Sequence, residues 1–392
     1  MELLARRYDT GCWTRLVWQQ DRLVELETLA RPPGLKEELW VAPGLVDIQV
    51  NGYGGQEFAS DQLRPEHVQQ IVRQHWHFGV TRLCPTLTTQ SPEVFEHALR
   101  AIDQACRDDA LVAASVPGVH LEGPFISREE GPRGAHPAQH CRRPDWELFC
   151  RWQQAAGGRV RLMTLSPEYD EAPRFIRQAV LSGVRIALGH TAATGQQILQ
   201  AVDAGATLST HLGNGAHRTL PRHPNYLWTQ LGEDRLAASL IVDGHHLPPE
   251  VVRVFVRAKG VRRCVLVSDV SGLAGLPPGE YTSSGCRLEI LPDGRLVIAG
   301  QRQLLAGASR PLGAGVLNAM RFAGVSLAQA VAMATRNPCR VLGLRVDRLQ
   351  VGAVADLVVF RLPDFCPDEP AAGLDVVATV LQGQVVFGQL PQ

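Results

Sequence analysis

The sequence predicts an α/β chain that closes as a (β/α)8 barrel of the TIM type, with a small β-sandwich domain assembled from its N- and C-terminal segments. Three observations predict it. Short apolar runs alternate with segments of helical period, which is the pattern of βα units and a parallel sheet. The runs number about eight, the count that closes such a barrel. The two ends differ from the middle: they read as strand-like pieces separated by turns, and neither could hold a core alone. The expected boundaries are 42–344 for the barrel, and 1–41 with 345–392 for the β domain.

In order, the apolar runs are 45–50, 80–86, 116–121, 160–166, 184–189, 206–210, 236–242 and 264–268. Helical patterns at 65–78, 92–107, 173–182, 196–204 and 249–259 separate most of them. Prolines near several starts suit the first helical turn, where the missing N–H costs nothing. After the eighth run, 287–298 predicts a hairpin turning at Asp293-Gly294, and two helices follow at 308–322 and 326–342. Residues 1–40 and the tail from Gly352, through Leu357-Val358-Val359-Phe360 and 376–387, supply the strands of the small domain.

Composition narrows the function classes. With 39 basic and 39 acidic residues the chain has no net field to draw it to nucleic acid or an anionic membrane, so a small molecule is the expected partner. No apolar run reaches the ~18 residues of a membrane span, and the start MELLARRYDTGCW lacks a signal-peptide pattern; a cytoplasmic location is expected. Nine cysteines, an odd count without a C-x-x-C pair, read as scattered reduced thiols. The only lysines are Lys36, before the first barrel run, and Lys259, at the end of a helical run. A Schiff-base lysine, or a carboxylated lysine bridging two metals, is therefore not expected.

In a barrel the chemistry comes from the carboxyl-terminal ends of the strands, so the polar residues that follow the apolar runs are the candidates. Gln49 and Asn51 close the first run, Glu122 the third, His190 the fifth, His211 the sixth, Asp243, His245 and His246 the seventh, and Asp269 the eighth. Glu122, His190 and His211 form a carboxylate-plus-two-imidazole set that suits Zn²⁺ or Fe²⁺ and leaves a coordination position for water. Asp269 is placed to accept a proton from that water and pass it to a leaving amine. Gln49 and Asn51 lie two apart on a strand and so face one side. An amide oxygen is a poor zinc ligand, so one catalytic metal is expected. His120, two before Glu122, is open between a role behind the metal and simple packing. His67, His75, His77 and His97 fall on helical segments and are expected on the outer surface.

At these residues the sequence resembles the N-acetylglucosamine-6-phosphate deacetylase family of the amidohydrolase superfamily, from about Trp40 to the C-terminus. PGLVDIQVNGYGG (43–55) resembles the opening motif in its single-metal Gln-x-Asn form; LEGPF (121–125), LGHTAAT (188–194) and STHLGN (209–214) carry the metal ligands. RGAH (133–136), IVDGHHL (241–247), SDV (268–270), LLAGAS (304–309) and GAVADLVVF (352–360) match further family segments. The resemblance implies hydrolysis of an N-acetylhexosamine 6-phosphate, most directly N-acetyl-D-glucosamine 6-phosphate, to the amino sugar phosphate and acetate by a metal-activated water. It implies Asp269 and His136 as catalytic groups, and Ala135, Asn214, Gly215, Arg222, His246, Gln49 and Asn51 around the substrate. Arg222, eleven positions after His211, takes the phosphate, and a homodimer is implied.

Departures fall on the substrate side: THLGNGAH (210–217) and Arg222-His223-Pro224-Asn225 differ from the family pattern, whereas the metal and proton-transfer residues do not. The altered loop leaves open a related amidohydrolase acting on another acylated amino sugar or a cyclic amide. A catalytically silent barrel with a binding or assembly role is the third reading. The presence of all four of Glu122, His190, His211 and Asp269 argues against it.

Overall fold

The computed structural model describes residues 1–30, 38–283, 286–346, 348–363 and 371–391; Lys36 lies outside the described residues. Eight parallel strands form the central sheet: β1 (Leu45–Val50), β2 (Val80–Thr88), β3 (Val119–Glu122), β4 (Val160–Leu165), β5 (Arg185–Leu188), β6 (Leu208–Ser209), β7 (Ala237–Ile241) and β8 (Cys264–Val267). Each pairs with its sequence neighbour. The ring nearly closes just beyond β8, where the Asp269 amide donates to the Gln49 carbonyl (3.0 Å) and the Asn51 amide to the Val270 carbonyl (2.9 Å). The seam thus brings the end of the eighth run against the end of the first.

The strands are mainly apolar because both faces are covered. Ile186 and Leu188 pack outward with the helical layer while Ala187 turns inward. Leu266 packs outward, and Val265 and Val267 join Val46, Ile48 and Leu162 in the barrel interior. Period-two alternation therefore fills the centre with side chains, and the polar groups that can meet a ligand lie at the rim.

The structure adds helices that hydrophobic period alone did not separate from loops: Ala110–Ser115, Trp146–Ala155 and Tyr226–Gly232. Each starts at a capping side chain, Asp109, Asp145 or Asn225, that accepts from backbone amides of the first turn. The helix expected at 308–322 begins only at Leu312, because Ala308 is held in a parallel bridge to Val270 and Pro311 starts the turn. The helix expected at 326–342 is two, Leu327–Met333 and Arg336–Leu342, broken where Thr335 leaves helical dihedrals. The 287–298 hairpin forms, with Gly294 at φ +87° in its turn. It is the middle of a four-stranded antiparallel meander of Gly279–Ser283, Cys286–Ile290, Leu296–Ile298 and Gln301–Leu305.

The two ends of the chain pair in one seven-stranded mixed sheet. Leu357–Arg361 runs antiparallel to Trp40–Pro43, and Glu2–Arg7 parallel to it. Leu3, Leu16, Trp18, Val41, Val359 and Val380 share a core separate from the barrel's. The Trp18 indole N–H donates to the Gly383 carbonyl (2.9 Å), tying the strand Trp13–Gln19 to the turn before the last strand through a buried contact. Among the described residues, no helix is long and apolar enough to cross a membrane.

Two polar residues take positions their helical setting did not suggest. His75, expected on the surface, is buried against Tyr53 and Phe78, and its Nδ1–H donates to the Ile71 carbonyl. Burial holds its pKa down at about 4, so it is a neutral core residue. Lys259 is 1% exposed and its amine donates to the carbonyls of Gln230 (2.5 Å), Glu233 (2.8 Å) and Leu236 (2.9 Å). These oxygens lie at and beyond the carboxyl end of Tyr226–Gly232, where helical carbonyls lack internal partners. Lys259→Met should keep the fold but lower its stability by about 3 kcal/mol, since a buried acceptor without a donor costs roughly 1–3 kcal/mol. Thermal melts of the two proteins check this, and an unchanged midpoint would mean that water replaces the amine.

Candidate metal centre and active site

The strand ends bring the predicted residues together over the barrel. His211 Nε2 lies 2.9 Å from Glu122 Oε1 and 3.0 Å from His190 Nε2, and His190 Nε2 is 3.4 Å from Glu122 Oε1. All three side chains are buried. Gln49 Nε2 donates to both Glu122 Oε1 (2.9 Å) and Asp269 Oδ1 (3.0 Å), so a single amide nitrogen spans the two carboxylates. Asn51 Nδ2 adds a third donor at 2.8 Å from Asp269 Oδ1.

Backbone conformation aims these groups. His190 (φ 49°), His211 (φ 27°) and Asp269 (φ 53°) all occupy the left-handed region, which non-glycine residues seldom adopt. Each stands immediately beyond a strand or its short extension, and the surrounding hydrogen bonds must hold it there at a cost of order 1–3 kcal/mol. Gly215 (φ +55°) allows its loop to cross the His190 ring, since a Cβ there would come within 2.8 Å of Nδ1.

The donor chemistry fits a divalent cation. His190 Nδ1–H donates to the Pro132 carbonyl (2.9 Å), which leaves the Nε2 lone pair facing Glu122 and His211. Spacings of 2.9–3.4 Å among the three atoms approach the roughly 3.4 Å separating tetrahedral ligands about 2.1 Å from one ion. His136 belongs to the same cluster: Glu122, His136 and His190 each offer a ligand atom, all within 4.8 Å of one another. The His136 ring lies 4.3 Å from the His190 ring, and its Nδ1 is held by the Thr89 hydroxyl (2.9 Å) and faced by the Thr89 amide (3.4 Å).

Burial and neighbouring charge set the protonation states. Burial opposes the charge on Glu122, but the His190 and His211 imidazoles set against it outweigh burial and hold its pKa well below the usual carboxylate range. Burial would also neutralise His211; the Glu122 carboxylate prevails and raises it. Burial, then the nearby His190, lowers His136 to about 3. Burial, then the Glu122 charge, raises Asp269 to about 6. The site therefore holds one firmly ionised carboxylate and one that can take up a proton near neutrality.

A cavity of about 560 Å³ opens above these residues. Asn51, Glu122, Ala135, His136, His190, His211, Asn214, Gly215, His246 and Asp269 line it, together with His245. His246 Nδ1–H donates to Asp243 Oδ2 (2.8 Å), leaving Nε2 as its atom for a ligand. Asp243 also accepts the amides of His245 and His246, and these bonds outweigh burial to hold its carboxyl ionised. Two sequence candidates fall elsewhere. Gln49 is 1% exposed and sits behind the carboxylates rather than on the cavity wall. Arg222 is exposed on its loop and does not line the cavity, because the chain from Arg218 to Pro224 runs over the outer surface apart from Leu220.

Sequence reasoning missed other wall residues. Thr88, Thr89 and Gln90 follow the second apolar run and could have been found by the same strand-end rule. Arg295, paired with Asp293 (2.7 Å), comes from the meander, where no strand-end signal exists, and among the described residues it is the one Lys or Arg on the cavity wall. His120 contacts no ligand directly: it is buried between the Ile48 carbonyl and Thr164, whose hydroxyl bonds Thr210 beside His211.

The model of the amidohydrolase family matches residues 40–386. The chain is 35% identical to the N-acetylglucosamine-6-phosphate deacetylase of Bos taurus over 88% of its own length and 83% of the relative's. It is 33% identical to an N-acetylgalactosamine-6-phosphate deacetylase of Shewanella sp. (strain ANA-3), over 80% and 76%. Among solved structures, an aspartate-to-alanine mutant of Mycobacterium smegmatis N-acetyl-D-glucosamine-6-phosphate deacetylase, in complex with N-acetyl-D-glucosamine-6-phosphate, superposes with a TM-score of 0.83. That match is at 30% identity and covers 98% of this chain and 99% of the other.

Proposed function

The chain belongs to the amidohydrolase family and acts on an amide C–N bond, and from that premise we propose that it removes the acetyl group from an N-acetylhexosamine 6-phosphate, foremost N-acetyl-D-glucosamine 6-phosphate. The observation that carries the reading is the meeting of Glu122, His190 and His211 within 2.9–3.4 Å on the wall of the cavity, with Asp269 one amide nitrogen away.

Glu122, His190 and His211 would hold one Zn²⁺ or Fe²⁺, which supplies Lewis acidity and activates a water for attack on the acetyl carbonyl. His136 is assigned outside that set because Thr89 occupies its Nδ1; its neutral Nε2–H is then a donor for the acetyl oxygen as negative charge develops there. Asp269 accepts the proton of the attacking water and returns it to the nitrogen as the C–N bond breaks. Gln49 and Asn51 spend their amide protons on the carboxylates, which orients Asp269 Oδ1 and favours its ionised form.

The 6-phosphate would lie toward Asn214, the Gly215 amide and His246, with Arg295 as the cation of the same chain on that wall. Arg222 lies outside its own cavity and would reach a phosphate only from a second copy of the chain. Acetate release from N-acetylglucosamine and N-acetylgalactosamine 6-phosphates, each with its dephosphorylated counterpart, tests the function. The galactosamine compound is the second substrate because a relative at 33% identity bears that name. Arg295→Ala should raise KM for the phosphorylated sugar by about tenfold or more while leaving the dephosphorylated sugar nearly unchanged, as loss of uniform binding does. Faster turnover of the dephosphorylated sugar by the unmodified protein would overturn the phosphate assignment.

A further inference from the structure

A second cavity of about 470 Å³, within the range of small-molecule sites, adjoins the first and shares Glu57, Ala59, Gln90 and Pro137 with it. It lies on the same face of the barrel, between the loops that follow β1, β2, β3 and β8. Among the described residues no lysine or arginine lines it, and the carboxylates of Glu57 and Asp61 do, so a second phosphate or carboxylate is disfavoured there. Its polar wall carries four carboxamides, Gln56, Gln62, Gln90 and Gln139, beside Ser60, His140 and Thr282. A carboxamide both donates and accepts, which matches a hydroxyl group that does the same. Val94 and Leu273 supply apolar surface for the C–H face of a sugar ring.

Its placement relative to the reacting amide says which part of a substrate would enter it. Gln90 follows Thr89, which holds the His136 ring, and Pro137 follows His136 itself. The shared wall therefore begins where the acetamide is held, and the groups assigned to the phosphate, Asn214, Gly215, His246 and Arg295, are not part of it. In an N-acetylhexosamine 6-phosphate the acetamide is on C2, the neighbouring carbons are C1 and C3, and C6 is remote from them. We infer that the second cavity is a subsite for a neutral glycosyl unit joined through C1, so that the enzyme deacetylates 6-phosphorylated glycosides as well as the free sugar. The inference rests on the deacetylase reading. The reaction is unchanged: water adds across the acetamide C–N bond, acetate leaves, the amine keeps the proton, and the glycosidic bond stays intact.

The test compares acetate release from N-acetylglucosamine 6-phosphate, from its methyl glycoside, and from a disaccharide in which it is joined through C1 to glucose. For the unmodified protein, kcat/KM on the disaccharide should at least equal that on the free sugar and exceed that on the methyl glycoside about tenfold. Combining Gln62→Ala with Gln139→Ala should raise KM for the disaccharide about tenfold, roughly the effect of two hydrogen bonds, and leave the other two substrates unchanged. Turnover of the free sugar serves as the folding control for that variant. A disaccharide slower than the methyl glycoside, or an equal loss on all three substrates, overturns the subsite and leaves the deacetylase reading standing. Acetate from none of the three overturns both.

Discussion

Replacing Asp269 by asparagine should lower kcat by roughly 10²–10⁴-fold, the usual worth of a positioned general acid–base, in a protein that still folds and binds metal. Asparagine has the same size and still presents Oδ1 to Gln49 Nε2 and Asn51 Nδ2, at 3.0 and 2.8 Å in the unmodified protein. It cannot take a proton. Because the lost interaction belongs to the transition state, kcat and kcat/KM should fall together. The unmodified protein should also show an acidic limb in kcat/KM, since the carboxylate is the working form and is lost as pH falls. Burial and Glu122 raise Asp269 to about 6. A bound cation favours the charged form, so the midpoint should lie at or below about 6. Steady-state acetate assays with metal content by atomic spectroscopy decide the matter. A variant within tenfold of the unmodified enzyme would remove Asp269 from the proton path.

Loss of His211 is expected to be at least as severe, because its Nε2 contacts both partners, Glu122 Oε1 at 2.9 Å and His190 Nε2 at 3.0 Å. His211→Ala should purify without stoichiometric metal and lose on the order of 10³-fold or more in kcat, since Lewis acidity supplies several kcal/mol of transition-state stabilisation. A strong chelator should do the same to the unmodified protein, with recovery on adding Zn²⁺ or Fe²⁺. A ligand that binds only the folded state raises its stability, so chelation should lower the melting temperature of the unmodified protein and leave that of His211→Ala unmoved. Stoichiometric metal in the variant would instead assign the third ligand position to His136, the other imidazole of the cluster.

Much of the site was legible because barrels place polar residues where apolar runs stop. Glu122, His190, His211 and Asp269 were each found that way, and the same rule extended to the second run would have found Thr88, Thr89 and Gln90. Gln49 and Asn51 were legible as a same-face pair, but not as donors to Glu122 and Asp269, since the pairing depends on how the ring is closed. Arg222 and Arg295 show the limit most clearly. The family resemblance singled out Arg222, yet its loop runs outward, while Arg295 reaches the cavity from a meander 26 residues past Asp269. Likewise, helical period placed His75 outside, and only the packing of Tyr53 and Phe78 shows it buried.

The sequence by itself determined the order of the eight strands, the end of the barrel that carries polar groups, and the residue types available for metal and proton chemistry. Those properties follow from local periodicity and from the fact that parallel strands joined by helices all present the same end to one face. Tertiary structure alone decided the left-handed backbone of His190, His211 and Asp269, the tautomer of His190 set by the Pro132 carbonyl, and which loops wall the two cavities. Each of these arises from contacts between segments far apart in the chain, and no local pattern records a constraint that distant backbone imposes.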